Sequence, residues 1–129
     1  MIGLDSNVMV RYLVEDDPAQ TARAKSVIDA LTASAPGFIA TVTWAEMYWV
    51  LTRTYGFTRA EVVDKLASLV ESEEIQAENP TAIAAAVSRA RQGADFADAL
   101  IDAAARRAGC SQVVTFDKRA ASKLGWQSL

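Results

Sequence analysis

The sequence of 129 residues contains no histidine and only one cysteine, Cys110. These absences exclude a disulfide framework, a zinc site built from thiolates and imidazoles, and every nucleophile that a histidine activates. An enzyme with this composition has to use carboxylates, hydroxyls, lysine and arginine. Carboxylates that gather without histidine favour hard cations such as Mg²⁺ or Mn²⁺.

Long apolar runs are also missing, although 51% of the residues are hydrophobic. No stretch approaches the roughly 20 residues of a membrane span. The first residues lack the basic segment, apolar segment and cleavage site of a secretory signal. We therefore expect a cytoplasmic protein without a membrane partner. The length suits one domain, residues 1–129, with a proper hydrophobic core.

The formal charge of −3 is weak evidence against a nucleic-acid partner. A domain that binds nucleic acid usually carries a positive surface. Divalent cations bound to a group of carboxylates would nevertheless make that site electropositive. The overall charge therefore does not decide between a protein that binds nucleic acid and one that does not.

Strand patterns alternate with helical patterns along the chain. Apolar and β-branched runs predict strands at residues 1–4, 38–42 and 110–116, with an edge strand or loop at 73–78. Caps and prolines predict helices at residues 7–14, 18–31, 43–55, 58–72, 80–91, 95–108 and from 117 onward. This order is typical of an α/β fold with a parallel, doubly wound sheet of about four or five short strands and helices on both faces.

Asp5 directly follows the first predicted strand. The three apolar residues and the glycine before it have no polar face, which suits a central strand covered on both sides. A carboxylate at the carboxyl end of such a strand lies where open α/β sheets bind their ligands. A structural explanation is equally open, because Asp5, Ser6 and Asn7 also suit the cap of the next helix.

Other acidic residues take similar places, just past strands or in first helical turns: Glu46, Asp95, Asp98 and Asp117. Asp95 and Asp98 are three residues apart and share one face of a helix. Carboxylates at the same sheet edge repel one another unless cations lie between them, so a cluster indicates a metal site. Capping alone explains the same placements, because Thr43 and Glu46 match a capping box and aspartate is a preferred N-cap.

The predicted helix 43–55 is apolar on more than one face. Such a helix is either wholly buried or docked against another chain. One aromatic face can enter the core, while Trp49 points elsewhere. The candidates for a partner-binding surface are Trp44, Met47, Tyr48 and Trp49.

Four short motifs in a fixed order resemble one known family. They are Leu4-Asp5-Ser6-Asn7, the helix that bears Glu46, Asp95-Phe96-Ala97-Asp98-Ala99-Leu100-Ile101, and Thr115-Phe116-Asp117. Over nearly the whole chain the sequence resembles the PIN-domain ribonucleases, and within them the VapC-type toxins of bacterial toxin–antitoxin pairs. Ser6 stands where that family usually has threonine, and Asp102 where it usually has a small apolar residue.

The resemblance implies a single PIN-like domain and an endoribonuclease that depends on one or two Mg²⁺ or Mn²⁺ ions. The family's catalytic and metal-binding quartet falls on Asp5, Glu46, Asp98 and Asp117. Its supporting positions fall on Asn7, Asp95 and Thr115. Basic residues close to these positions in the sequence are candidates for contacts with the RNA backbone, namely Arg11, Lys118, Arg119 and Lys123.

The same resemblance implies a homodimer that binds a small antitoxin, with larger assemblies possible. A segment of the antitoxin would lie in an apolar groove that leads to the acidic site. Two other functions stay open: a catalytically silent PIN-like module that docks a partner protein through helix 43–55, and a Mg²⁺-dependent phosphatase. The phosphatase normally needs a second nearby aspartate or a covalent nucleophile, which Asp5-Ser6-Asn7 does not clearly supply.

Asp102 has two possible roles. It would orient a metal-bound water, or it would pair with an arginine. The favoured interpretation is an ion pair with Arg106, four residues later on the same helix.

Overall fold

The computed structural model describes all 129 residues and confirms the α/β class. The seven α-helices are α1 (Ser6–Val14), α2 (Pro18–Asp29), α3 (Thr41–Trp49), α4 (Arg59–Glu71), α5 (Pro80–Arg91), α6 (Phe96–Arg107) and α7 (Lys118–Leu124). A π-helical turn, Val50–Thr54, continues α3. The strands are β1 (Ile2–Gly3), β2 (Gly37–Ile39), β3 (Ile75–Ala77), β4 (Val114–Thr115) and β5 (Gln127–Ser128). None of the helices has the length and apolar character needed to cross a membrane.

Local capping explains where several helices begin. The Asp17 carboxylate accepts a hydrogen bond from the backbone N–H of Gln20 at 3.0 Å, and Pro18 occupies the first helical position of α2. Thr58 caps α4 through its hydroxyl, which accepts from the N–H of Glu61 at 3.2 Å. Satisfied amides of this kind stabilise helix starts, and these predicted starts are confirmed.

The strands pair in two separate parallel ladders, in the order β1-β2-β3 and as β4-β5. Ile2 pairs with Gly37 in the first ladder, and Val114 pairs with Gln127 in the second. The prediction that the first strand is central is therefore wrong: β1 is an edge strand, and both of its residues are exposed. The predicted set of about four or five short parallel strands is confirmed; the five strands pair in these two ladders, and each spans only two or three residues.

The chain forms two compact units, Met1–Pro80 and Thr81–Leu129. The fully buried large side chains of the first unit are Met9, Ile39, Trp44, Met47, Leu51, Val62 and Leu66. Those of the second unit are Ile83 and Phe96. Each unit thus has its own buried residues, and the expectation of one domain over residues 1–129 stays a prediction.

The aromatic helix α3 belongs mainly to the core of the first unit. Trp44, Met47 and Tyr48 are buried, so their prediction as a partner-binding surface is wrong. They lie three and four residues apart, the spacing that places side chains on one helical face. Trp49 alone is 39% exposed, and the guanidinium of Arg53 lies 5.7 Å from the centre of its ring.

Candidate functional site

Asp5 lies two residues after the end of β1 and occupies the N-cap position of α1 with an extended backbone. Its side chain is exposed and makes no capping hydrogen bond. The other three aspartates at N-cap positions, Asp17, Asp95 and Asp117, each accept a hydrogen bond at 3.0 Å from an amide three residues later. Capping therefore does not account for Asp5, and its carboxylate is available to a ligand.

Glu46 lies on α3 with its side chain exposed. The helix begins at Thr41, with Ala40 as N-cap and no side-chain cap, so the capping box predicted for Thr43 and Glu46 does not form. Instead the hydroxyl of Ser6 donates to Oε2 of Glu46 at 3.3 Å. Because Ser6 follows Asp5 directly, this hydrogen bond places Glu46 beside the segment that carries Asp5. Asn7, the next residue, is exposed in the first turn of α1.

In the second unit, Asp95 and Asp98 form the start of α6. Oδ1 of Asp95 accepts from the backbone N–H of Asp98 at 3.0 Å, and both side chains are half-buried. Asp117 starts α7 in the same way, by accepting from the N–H of Ala120. The hydroxyl of Thr115 accepts from the N–H of Asp117 at 3.0 Å and so helps to orient it. Asp95 and Asp117 therefore have a structural role through one carboxylate oxygen each.

The donor set is suited to a hard cation, because all the candidate ligands are carboxylate oxygens and the chain has no histidine. In neither unit, however, do three or more acidic, histidine or cysteine side chains gather as a group that could hold a metal ion. The chemistry of the side chains fits Mg²⁺ or Mn²⁺.

The four candidates for RNA contacts fall into two kinds. Arg11 is held by protein partners: it donates to Gln20 at 2.6 Å, to Asp16 at 2.8 Å and to the hydroxyl of Tyr55 at 3.0 Å. The hydrogen bond to Asp16 also raises the pKa of Arg11. The other three lie on α7, where they are exposed and make no ion pair: Lys118, Arg119 and Lys123.

Asp102 is a buried structural anchor of the second unit. Its Oδ2 accepts from Nε of Arg106 at 2.8 Å, which confirms the predicted ion pair, and its Oδ1 accepts from the indole N–H of Trp126 at 2.9 Å. Arg89 lies 4.0 Å from Oδ2. Burial opposes ionisation, but the hydrogen bonds from Trp126 and Arg106 and the nearby positive charges prevail and lower the pKa of Asp102.

Replacing Asp102 with alanine should lower the free energy of unfolding by about 2 kcal/mol at neutral pH, because charge-assisted hydrogen bonds are lost and Trp126 is left without an acceptor. A carboxylate whose folded pKa lies below its unfolded value, about 4 for aspartate, stabilises the fold above that value and loses this effect as the pH falls through the folded pKa. The deficit of Asp102→Ala should therefore shrink in acid. Urea unfolding from neutral pH to below the folded pKa of Asp102 measures this loss of stability. Glu73→Ala, which removes an exposed carboxylate, is the control. An equal deficit at both ends of the range would contradict the ionic role.

A groove of about 680 Å³ lies in the first unit. It is lined from α1, α2 and the π-helical turn, by Ser6, Asn7, Val8, Val10, Arg11, Gln20, Arg23, Ala24, Val27, Val50, Thr54 and Tyr55. Its lining begins at the residue after Asp5. Trp49 does not line it. No clear sequence signal marks this groove, because Val27 is followed by Ile28 and is not the only apolar residue of α2; in the structure Val27 is 39% exposed.

Comparison with known proteins identifies the family of this chain. No curated protein matches the chain. A solved structure described as FitAB bound to an IR36 DNA fragment aligns with 100% of this chain and 94% of its own, at 20% identity and a TM-score of 0.39. The PIN domain family matches residues 2–125. The chain therefore belongs to the PIN domain family, whose members are generally nucleases.

Proposed function

We propose that the protein is a metal-dependent endoribonuclease and the toxin of a toxin–antitoxin pair. One observation carries the proposal: in a member of the PIN family, the carboxylate of Asp5 is exposed and has no structural partner. Every other aspartate at an N-cap position holds its helix. Asp5 also follows the carboxyl end of β1, the side on which α/β folds bind their ligands, and this position supports a ligand-binding role.

The proposed ligands of one or two Mg²⁺ or Mn²⁺ ions are Asp5, Glu46, Asp98 and Asp117. The chemistry that such a cation supplies when bound is activation of water and neutralisation of charge on the scissile phosphate. The chain's own hydrogen bonds orient these ligands. Ser6 donates to Glu46, Asp95 accepts from the amide of Asp98, and Thr115 accepts from the amide of Asp117.

The exposed basic residues of α7 complete the proposed mechanism. Lys118 and Arg119 directly follow Asp117, and they are free to hold phosphates on either side of the bond that is cut. Arg11 is less suited to this role, because Asp16, Gln20 and Tyr55 engage its guanidinium.

The test of the proposed function is cleavage of a circular single-stranded RNA by the purified protein with Mg²⁺ or Mn²⁺. A circle has no ends, so its conversion to linear fragments shows an endonuclease. Linear fragments are the expected result. Intact circles with both metals, for RNA pools of varied sequence, would contradict the proposal.

The two alternative functions have less support. A silent binding module was expected to use the aromatic residues of α3, and three of its four candidates are buried. For a phosphatase, the loop after β1 would need a second acid or a covalent nucleophile. Asp5 is the only acidic residue before Glu15, so the endoribonuclease remains the better explanation.

The same proposal includes a small antitoxin as partner, with its apolar segment in the groove between α1, α2 and the π-helical turn. The groove is open in this chain and begins beside Asp5, which suits a partner that also covers the active site. The homodimer stays a prediction.

Val27→Glu should weaken antitoxin binding by roughly tenfold or more, because it places a charge where the apolar segment of the antitoxin would lie. Calorimetry with the cognate antitoxin measures the affinity. Trp49→Ala is the matched control: it removes a larger exposed apolar side chain outside the groove and should leave the affinity unchanged. If Trp49→Ala weakens binding and Val27→Glu does not, the antitoxin binds at Trp49, as the sequence predicted.

A further inference from the structure

Phe116 is the most exposed large apolar residue of the chain, with 82% of its surface accessible. It lies between β4 and α7, directly before Asp117. An aromatic ring stabilises a fold by leaving water, and this ring stays in water. The stability of the chain therefore does not explain why a phenylalanine stands here.

The charges that follow Phe116 are equally unexplained by the fold. Lys118 and Arg119 lie in the first turn of α7, where the helix dipole disfavours positive charge. Both are exposed, and neither makes an ion pair. Lys123 is exposed four residues after Arg119, on the same helical face. The segment thus combines one open aromatic ring with three exposed cations that form no ion pair, and two of these cations, Lys118 and Arg119, lie at the helix end that disfavours them.

Single-stranded RNA has the chemistry that matches this segment. Its unpaired bases stack on aromatic rings, and its phosphates bind lysine and arginine. In duplex RNA the base faces are already stacked on one another, so a ring at the surface has no access to them. An apolar protein segment is the competing ligand, because Val114 and Leu129 are also exposed beside Phe116. The charged residues after Phe116 favour RNA over it.

We propose that Phe116 stacks on an unpaired base of the RNA substrate, while Lys118 and Arg119 hold the adjacent phosphates. This inference rests on the proposed endoribonuclease function and specifies its substrate as single-stranded at the base beside Asp117. By holding one base, Phe116 would determine which phosphodiester bond of the RNA lies at the carboxylates.

The test uses the full chain with Asp5→Asn, so that bound RNA is not cut, and a short single-stranded RNA that carries 2-aminopurine. Stacking changes the fluorescence of this base. Phe116→Ala should weaken binding by roughly tenfold, the size of a lost base–aromatic stack, and should remove the fluorescence change. Phe116→Tyr should keep both. Ile101→Ala, which truncates another exposed apolar residue of the second unit, 52% exposed, should leave both unchanged.

The inference is overturned if Phe116→Ala binds the single strand as tightly as its parent. It is also overturned if a duplex of the same sequence shows the same dependence on Phe116, or if Phe116→Ala changes the oligomeric state in sedimentation, which would make the ring a protein contact. Failure of the stacking proposal can be distinguished from failure of the proposed endoribonuclease function. Cleavage by the natural chain with no effect of Phe116→Ala on binding refutes stacking alone, whereas stacking without any cleavage refutes the endoribonuclease and leaves an RNA-binding protein.

Discussion

Asp5→Asn is expected to reduce RNA cleavage by roughly a thousandfold or more, because a ligand of the proposed cation site loses its charge. The substitution should not destabilise the fold. The carboxylate makes no capping hydrogen bond, and in the proposed cation site its neutralisation would relieve repulsion from the other carboxylate ligands. Thermal stability without metal should therefore stay equal or rise. The measurements are kcat/KM on a single-stranded RNA and thermal unfolding in a metal-free buffer.

Asp17→Ala is the matched control, because Asp17 is also an aspartate at the start of a helix. It accepts a hydrogen bond from Gln20, so its loss should cost about 1 kcal/mol of stability and leave cleavage intact. The two variants should thus separate activity from stability. If Asp5→Asn destabilises the metal-free protein as much as Asp17→Ala does, or cleaves RNA normally, Asp5 is a structural residue.

Removal of divalent metal is expected to abolish cleavage. The chain contains no histidine, and the proposed mechanism assigns activation of water to Mg²⁺ or Mn²⁺. Excess EDTA should bring the rate to that of the uncatalysed reaction, and added Mg²⁺ or Mn²⁺ should restore it.

Circular dichroism in the same chelator provides the control for this experiment. Neither unit holds a preformed group of metal ligands, so the helical signal should not change. Cleavage that persists in excess EDTA would remove the metal mechanism. Loss of the helical signal would instead show that the metal supports the fold.

Features set by residues close in the sequence could be predicted from the sequence. The start of α2 after Asp17 and the start of α4 after Thr58 depend on hydrogen bonds that span three residues. The ion pair of Asp102 with Arg106 spans four. Such interactions need no knowledge of the tertiary structure, which is why these predictions are confirmed.

Features set by distant residues were missed. The place of β1 at an edge depends on its pairing with β2, some 35 residues away in the sequence. The burial of Trp44 depends on which face of α3 the first unit covers. The partner of Glu46 is Ser6, 40 residues away, and Trp126 approaches Asp102 from 24 residues away. The acidic residues themselves could be named from the family resemblance, whereas their hydrogen-bond partners could not.

The short strands have a consequence for how this protein meets other chains. An exposed sheet edge invites a partner to add a strand, which is also the usual start of aggregation. Here β1 and β3 form the edges of the first ladder and span only two and three residues. Strands this short present few unpaired N–H and C=O groups, so an incoming strand could form few hydrogen bonds with them. The proposed antitoxin segment would therefore have to be recognised by side chains in a groove, and the sheet edges offer little template for aggregates.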